Sequence, residues 1–232
     1  MPASARQLVL AACMTTLLAV ATPIATADEG TDRWTHFRGN DGAGVSDAQT
    51  IPTTFTAKDY NWRVELAGKG HSSPVVFGDR VFLTCVDAEA QKRYVVCHRT
   101  SDGKELWRAA DPFEPHSQHR LNSFASATPA VDDAQVYVAW TNGADLVALA
   151  LDHDGGEVWK KKIGRHQARH GSGASPVVVG DTLIVANDNE GEESSILGLD
   201  RKTGATRWKV PRTTTRAAFS TPTVHRRGDG TA

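Results

Sequence analysis

The sequence predicts an all-β protein built as an incomplete β-propeller, with about three four-stranded antiparallel blades and parts of two more. The first observation is a returning Ser/Thr-Pro dipeptide, at Pro74, Pro129, Pro176 and Pro222. The second is a tryptophan that returns with a similar spacing, at Trp62, Trp107, Trp159 and Trp208. The third is the content between them, apolar runs of about four to six residues bounded by Gly, Asp or Pro, which are too short for helices. A period near 45–50 residues with strand-like content is typical of propeller blades.

The clearest copy of the repeat is residues 174–208, where Ser-Pro, two β-branched runs, a polar turn, Gly and Trp follow in that order. Weaker copies make the other blades. The predicted segments are blade 1 (71–109), blade 2 (124–161), blade 3 (172–210) and the start of a blade 4 (218–232).

Before the first full copy comes an alternating stretch, 59–67, which contains Trp62 and has no earlier repeat to belong to. It is in phase with the last strand of each later blade. Propellers close their ring with such a strand, which leaves no open sheet edge. We therefore expect 59–67 to be a closing strand, and residues 28–58, which are polar and rich in turn residues, to be an extended lead-in.

The composition is that of a folded protein, with 40% hydrophobic and 23% charged residues among 232. The formal net charge is only −1. A near-neutral chain without an RNA- or DNA-binding motif argues against a nucleic-acid partner.

The N-terminus has the pattern of an export signal over residues 1–27, with Arg6, an apolar stretch and a small-residue cleavage site ending at Ala27. A rival pattern ends at Cys13 and resembles the lipoprotein box. It would leave an apolar stretch of about five residues, shorter than the usual 7–15 or so, and the sequence therefore disfavours a lipid anchor at Cys13. No other segment is apolar enough to span a bilayer. We expect an exported protein, periplasmic or extracellular.

Export leaves two cysteines, Cys85 and Cys97. If their strands pair as a hairpin centred on Gln91, the two lie directly opposite each other, and an oxidising compartment permits a disulfide. Two small apolar strand residues that never bond are the alternative, because adjacency alone does not supply disulfide geometry.

Two motifs carry a resemblance to a known family. The segment from Trp34 through Arg38-Gly39 to Gly44-Val45-Ser46 resembles the W-x-x-F-R-G-x-x-x-x-G-V-S opening of exported quinoprotein-like propellers. The end of each repeat resembles the tryptophan-docking motif A-x-D-x-x-T-G-x-x-x-W of the pyrroloquinoline quinone (PQQ) propellers. The matching residues are Gly198, Asp200, Thr203, Gly204 and Trp208 in the third repeat, Gly103 and Trp107 in the first, and Trp159 with Gly155, or alternatively with Asp152 and Gly156, in the second.

The resemblance implies that these residues and Trp62 are structural, with each Trp packed between neighbouring blades. It also implies seven or eight blades, so we expect the chain to be part of a longer protein. The family includes PQQ-dependent dehydrogenases and non-catalytic relatives such as the outer-membrane barrel-assembly lipoprotein. Neither the adjacent Cys-Cys pair of the best-known alcohol-oxidising branch nor the Cys-x-x-Cys-His of its quinohaem members occurs here.

Three functions stay open. The first is an exported, non-catalytic scaffold that binds proteins of the periplasm or cell envelope and needs no cofactor. The second is a dehydrogenase that uses PQQ and calcium, with its catalytic residues in blades beyond this sequence. The third is recognition of a small molecule or polysaccharide at the mouth of the central channel, since fold alone does not decide function.

Candidate ligand-binding residues precede the Ser/Thr-Pro dipeptides, where the chain enters each innermost strand at one face of the ring. They are His71, Ser72, Asn122, His170, Ser172 and Arg216. The alternative is that Ser and Gly are small there only because innermost strands crowd together.

Other polar clusters favour structural interpretations. The histidine pairs His116/His119 and His166/His170 lie in predicted loops without acidic or cysteine partners, so no metal site is expected. The stretch 187–193 predicts an exposed acidic turn rather than a calcium loop. The basic run Lys160 to Lys162 is either a docking surface for an acidic partner or a solvated strand face.

Overall fold

The computed structural model describes residues 33–48, 51–191 and 193–225, and they form three antiparallel sheets with a single 3₁₀ turn, Ala57–Asp59. The predicted all-β architecture of four-stranded blades is confirmed. The strands are β1 (Arg33–Trp34), β2 (Val75–Phe77), β3 (Arg80–Asp87), β4 (Lys92–Arg99), β5 (Glu105–Pro112), β6 (Ala130–Val131), β7 (Gln135–Asn142), β8 (Asp145–Asp152), β9 (Glu157–Arg165), β10 (Val177–Val179), β11 (Thr182–Asn187), β12 (Ser195–Asp200) and β13 (Thr206–Pro211).

Each blade is a simple meander, in which four consecutive strands pair in sequence order: β2 to β5 in blade 1, β6 to β9 in blade 2 and β10 to β13 in blade 3. The chain enters at the innermost strand and leaves at the outermost. Every connection between blades therefore lies at one end of the sheets, which we call the upper face. The turns that follow the first and third strand of each blade lie on the opposite, lower face.

Blade 2 is buried on both sides, and its central strand shows why the sequence reads as a continuous apolar run. In β7, Val136, Val138 and Trp140 pack against blade 1. The intervening Tyr137 and Ala139 pack against blade 3. Because successive side chains of a strand point to opposite faces, a blade between two neighbours needs apolar residues at every position.

The lead-in contributes a fifth strand to blade 1. Strand β1 pairs with the innermost strand, in the register Arg33 with Phe77 and Trp34 with Val76. The next residue continues the contact to blade 2, where the Val131 N–H donates to the Thr35 carbonyl at 2.8 Å. The lead-in therefore crosses the inner edges of two blades on the channel side.

The predicted strand over 59–67 does not form, although Trp62 from this stretch packs on blade 1 as described below. Among the described residues, no strand lies beside it to accept its backbone hydrogen bonds, and the nearest pairing is an isolated bridge between Lys69 and Val86. Of the predicted start of blade 4, residues 218–225 are described and contain no strand, and 226–232 lie outside the described residues. The predicted signal, 1–27, also lies outside them. No helix among the described residues is long and apolar enough to cross a membrane.

The proposed disulfide is wrong. The hairpin turn occupies residues 88–91, so Cys85 pairs with Tyr94 and Cys97 pairs with Phe82. Cys97 therefore points to the same face as Phe82. Since Phe82 and Cys85 are three residues apart in β3 and successive side chains alternate, the two cysteine side chains lie on opposite faces of the sheet. Both are free and buried thiols.

We expect Cys85 and Cys97 to be alkylated completely in denaturant without any reductant, and mass spectrometry of the protein would detect both adducts. In the folded protein burial raises the pKa of Cys97 to about 12, so its alkylation at pH 8 should be very slow. Recovery of a peptide pair linked through Cys85 and Cys97 would contradict the register.

Candidate functional site

Three of the four recurring tryptophans dock onto the blade that follows them, through a ring contact and a hydrogen bond. Each indole N–H donates to a backbone carbonyl in the lower-face turn of the following blade. The bonds are Trp62 Nε1 to Thr100 O at 2.6 Å, Trp107 Nε1 to His153 O at 2.7 Å and Trp159 Nε1 to Arg201 O at 2.9 Å. The indole thus buries its rings between blades while its single donor stays satisfied.

The glycine of each docking turn is required for two reasons, and Gly204 illustrates both. Its φ of +71° is in the left-handed region that favours glycine. A Cβ there would lie 2.7 Å from the Trp159 ring. In the second repeat the equivalent residue is Gly155, whose Cβ would lie 2.8 Å from Trp107. The structure therefore aligns Gly155, not Gly156, with the docking glycines.

Asp200 and Thr203 hold the third docking turn. Asp200 Oδ1 accepts from both the N–H and the hydroxyl of Thr203, each at 3.0 Å. Hydrogen bonds from Arg207 and Thr203 lower the pKa of Asp200 to about 2. Trp208 itself is 39% exposed and lies over Gly198 of its own sheet. Among the described residues no later docking turn covers it.

A second series of contacts between blades explains the Ser/Thr-Pro dipeptides. The hydroxyl before each of the last three of these prolines accepts from the backbone N–H of the equivalent residue in the preceding blade. The bonds are Ser73 N to Thr128 Oγ1 at 2.9 Å, Thr128 N to Ser175 Oγ at 2.9 Å and Ser175 N to Thr221 Oγ1 at 3.2 Å. The sequence contained this signal as a recurring hydroxyl, but its role required knowledge of which blades are neighbours.

We expect Thr128→Val to lower the free energy of unfolding by about 1–3 kcal/mol, because the Ser73 N–H then loses its acceptor at a buried site. Thr128→Ser keeps the hydroxyl and should lose clearly less. Urea unfolding of the two variants tests the assignment, and a Thr128→Val variant as stable as wild type would contradict it.

A buried ion pair of blade 1, which sequence reasoning missed, lies at the interface with blade 2. The Arg93 side chain is fully buried, and its guanidinium donates to Asp111 Oδ2 at 3.1 Å and to the Thr141 carbonyl at 2.6 Å. Lys160 also pairs with Asp111. The Arg93 guanidinium carbon lies 4.2 Å from the centre of the Trp140 ring and 4.8 Å from that of Phe113. Burial lowers the pKa of Arg93 to about 10, although Asp111 opposes the shift.

The basic run of β9 is used internally, so it is not a free docking surface. Lys160 pairs with Asp111 of blade 1. Lys161 Nζ donates to the Gly204 carbonyl of blade 3 at 2.9 Å, and Lys162 pairs with Asp145 of its own blade at 2.6 Å. Successive lysines thus hold different neighbours because they point to opposite faces of the strand.

The six predicted channel-mouth residues have different environments. Ser72 is occupied, because its Oγ donates to the Thr84 carbonyl and accepts from the Thr84 N–H. His71 is exposed and its N–H donates to the Ala125 carbonyl. The exposed Arg216 forms a local turn with Thr214. Of these three, only Ser72 has its side chain engaged, because the bonds of His71 and Arg216 are made by their backbone N–H groups.

The structure does bring Asn122, His170 and Ser172 together. The Asn122 amide donates to the carbonyls of His170 and Ser172, at 2.7 and 3.2 Å. Asn122 Oδ1 accepts from the Ser126 hydroxyl at 2.6 Å. Asn122 thus fixes the connection between blades 1 and 2 to that between blades 2 and 3.

Around Asn122 lies a shallow cavity of about 370 Å³, lined by His119, Leu121, Asn122, His170 and Phe219. We call these five residues the upper-face patch. Leu121 is 67% exposed and Phe219 is 47% exposed, and the rings of His119 and His170 meet edge to face. Sequence reasoning found Asn122 and His170 but missed Leu121 and Phe219, which no periodicity distinguishes.

The expected acidic turn is only partly exposed. Asn187, Asp188 and Asn189 are buried, whereas Glu190 is exposed. Asn187 Oδ1 bonds to the ring of His166 at 2.9 Å, and Asp188 pairs with Arg212 at 3.1 Å. Among the described residues, no three His, Cys, Asp or Glu side chains converge on a metal-sized site.

One family model matches nearly the whole chain. It is described as outer membrane protein assembly factor BamB and matches residues 27–229. No curated protein matches the chain.

Several solved structures are similar in fold. BamB from Moraxella catarrhalis is 22% identical, with 67% of this chain and 44% of that one covered and a TM-score of 0.49. The quinohemoprotein alcohol dehydrogenase ADHIIG from Pseudomonas putida HK5 is 17% identical, with 78% and 27% covered and a TM-score of 0.56. The quinohemoprotein alcohol dehydrogenase from Comamonas testosteroni is 18% identical, with 78% and 27% covered and a TM-score of 0.55.

The chain thus spans less than half the length of each of these solved proteins. At 17% and 18% identity, the two dehydrogenase matches show a shared propeller fold and nothing of the chemistry. The predicted PQQ-like repeat is confirmed.

Proposed function

The chain belongs to the family described as outer membrane protein assembly factor BamB, and on this premise we propose that it is an exported, non-catalytic scaffold of the periplasm or cell envelope. Its upper face binds a protein partner. The protein needs neither PQQ nor calcium for this role.

The observation that carries the proposal is the upper-face patch. Leu121 and Phe219 are large apolar side chains, 67% and 47% exposed, on connections between blades. The Asn122 hydrogen bonds hold one of these connections against the next. Exposed apolar side chains on a rigid, polar-rimmed surface are typical of protein contacts.

The inner side of the ring supports a non-catalytic role. The lead-in adds strand β1 to blade 1 and bonds to Val131 of blade 2. It then approaches the fourth repeat, where a Cβ on Gly42 would lie 3.8 Å from Thr223. The chain itself thus fills part of the space beside the innermost strands, where a central ligand would have to lie.

Two features of the described residues bear on the cofactors of the dehydrogenases. No carboxylate cluster suited to calcium converges among them. Cys85 and Cys97 lie on opposite faces of blade 1, so they do not make the adjacent pair of the alcohol-oxidising branch.

The proposal is tested by photocrosslinking of the full-length protein in its native cell. A photoreactive residue at Leu121 or Phe219 should give one discrete adduct with an envelope protein. The same residue at Lys202, which is exposed on the lower face, is the matched control and should give none. Equal labelling from both faces, or no adduct at all, would overturn the proposal.

The second candidate function is a PQQ-dependent dehydrogenase, a class with which this chain shares the propeller fold alone. It predicts dye reduction with alcohols or sugars after the full-length protein is loaded with PQQ and calcium. Turnover would replace the scaffold proposal.

A further inference from the structure

A second cavity lies on the upper face, outside the upper-face patch. Its volume is about 450 Å³, and it shares no lining residue with the patch. Its walls come from the two connections that flank blade 2, from the β7–β8 turn and from Glu190 of blade 3. We call it the blade 2 cleft. Its volume is within the range of small-molecule sites, roughly 300–1,000 Å³.

Two guanidinium groups in the blade 2 cleft are unused. Arg165 and Arg169 line it, and neither side chain forms an ion pair or hydrogen bond within the part of the chain that the structure describes. The lysines just before them on β9 are all paired, as described above. The arginine side chains of the cleft therefore lack partners among the described residues, whereas the lysines of the basic run do not. Guanidinium forks pair most strongly with carboxylates and phosphates.

Two buried polar atoms in the cleft lining lack a hydrogen-bond partner among the described residues. Thr141 is 1% exposed and its Oγ1 is unpartnered. His166 is 8% exposed, and its Nε2 has no partner in hydrogen-bonding geometry, although the Gly171 carbonyl lies beside the ring. Buried polar groups without partners are uncommon in folded proteins and indicate a group that something else satisfies.

The hydrogen-bond network fixes what His166 offers. Asn187 Nδ2 donates to the Arg165 carbonyl at 2.9 Å, which leaves Asn187 Oδ1 as the acceptor for His166 Nδ1–H. Burial lowers the pKa of His166, although the bond to Asn187 opposes the shift, so the neutral ring is favoured. The Gly171 carbonyl next to the ring opposes the shift as well, so both sides of the ring face groups of the protein.

We propose that the blade 2 cleft binds a hydroxyl-bearing organic anion of the sugar-acid or sugar-phosphate class. Arg165 and Arg169 pair with the acidic group. Ligand hydroxyls bond to Thr141 Oγ1, an unpartnered atom of the lining, and to Glu190 at the rim. This site is independent of the scaffold proposal, because neither the patch nor the partner is involved.

The test is isothermal titration of the full-length protein with glucuronate, glucose 6-phosphate, glucose and inorganic phosphate. Binding of glucuronate or glucose 6-phosphate, without binding of glucose or inorganic phosphate, supports the proposal, and the first two ligands identify the acidic group. Equally tight binding of glucose would overturn the need for an anion. Equally tight binding of inorganic phosphate would overturn the need for hydroxyls, and binding of none would overturn the site.

Three variants then locate the site. Arg165→Gln/Arg169→Gln should weaken binding by about tenfold or more, because charge-assisted bonds are lost. Thr141→Val removes only the unpartnered hydroxyl, so it should weaken binding while the melting temperature is unchanged or higher. Lys202→Gln on the lower face is the matched control and should bind normally. Unchanged affinity in the double arginine variant would overturn the proposal.

Discussion

Trp159→Ala should lower the free energy of unfolding of the 232-residue chain by about 3–5 kcal/mol, the range for removal of a large buried aromatic side chain. Trp159 is only 9% exposed and packs in the core between blades 2 and 3. The substitution also leaves the Arg201 carbonyl without its indole donor. Urea unfolding followed by circular dichroism measures the loss.

Two controls separate docking from general damage. Trp208→Ala removes the same side chain where it is 39% exposed, and should cost clearly less. Gly204→Ala disturbs the same contact from blade 3, because a Cβ there would lie 2.7 Å from the Trp159 ring. Gly180→Ala is its matched control, since φ is also positive but nothing lies within 4 Å. If Gly204→Ala costs no more than Gly180→Ala, the indole contact is not what stabilises the blade interface.

Asp111→Ala should be about as damaging, with an expected loss of about 3–5 kcal/mol. The Asp111 side chain is 7% exposed and pairs with both Arg93 and Lys160. Removing it leaves the fully buried Arg93 cation without a counter-charge at the interface of blades 1 and 2. The cost arises from that uncompensated charge and not from the attraction that is lost.

The matched control is Glu105→Gln, which removes the carboxylate of an exposed ion pair with Arg108 in the same blade and should leave the unfolding midpoint nearly unchanged. The double variant Arg93→Met/Asp111→Leu replaces the pair by apolar side chains, and should recover part of the stability lost in Asp111→Ala. If Asp111→Ala is as stable as Glu105→Gln, the burial of the Arg93–Asp111 pair is contradicted.

The fold could be predicted from the sequence because each blade repeats the same spacing of Ser/Thr-Pro, Gly and Trp. Strands are also short, and in β7 the central run 136–140 is apolar at every position because both faces of the strand are buried. The contacts of single charged residues could not be predicted in the same way. Lys160 to Lys162 form one basic run in the sequence, but they contact blade 1, blade 3 and their own blade, respectively.

Register and long-range charge pairing were not predictable. A hairpin turn at 88–91 instead of one centred on Gln91 moves Cys85 and Cys97 to opposite faces, and a residue count cannot place a turn that closely. Arg93 resembles a surface residue of a strand, because its partner Asp111 is 18 residues away and Trp140 belongs to another blade. Leu121 and Phe219 were missed because loop residues have no period.

The scaffold proposal depends on the upper-face patch, and one measurement tests it most directly. Once crosslinking has identified the partner, its affinity for the full-length protein is measured by titration for wild type, for Leu121→Asp/Phe219→Asp and for the lower-face control Lys202→Asp. We predict that the double variant weakens binding by about 100-fold or more, as expected for central apolar contacts, while Lys202→Asp binds like wild type. Equal affinity of wild type and the double variant would contradict the account.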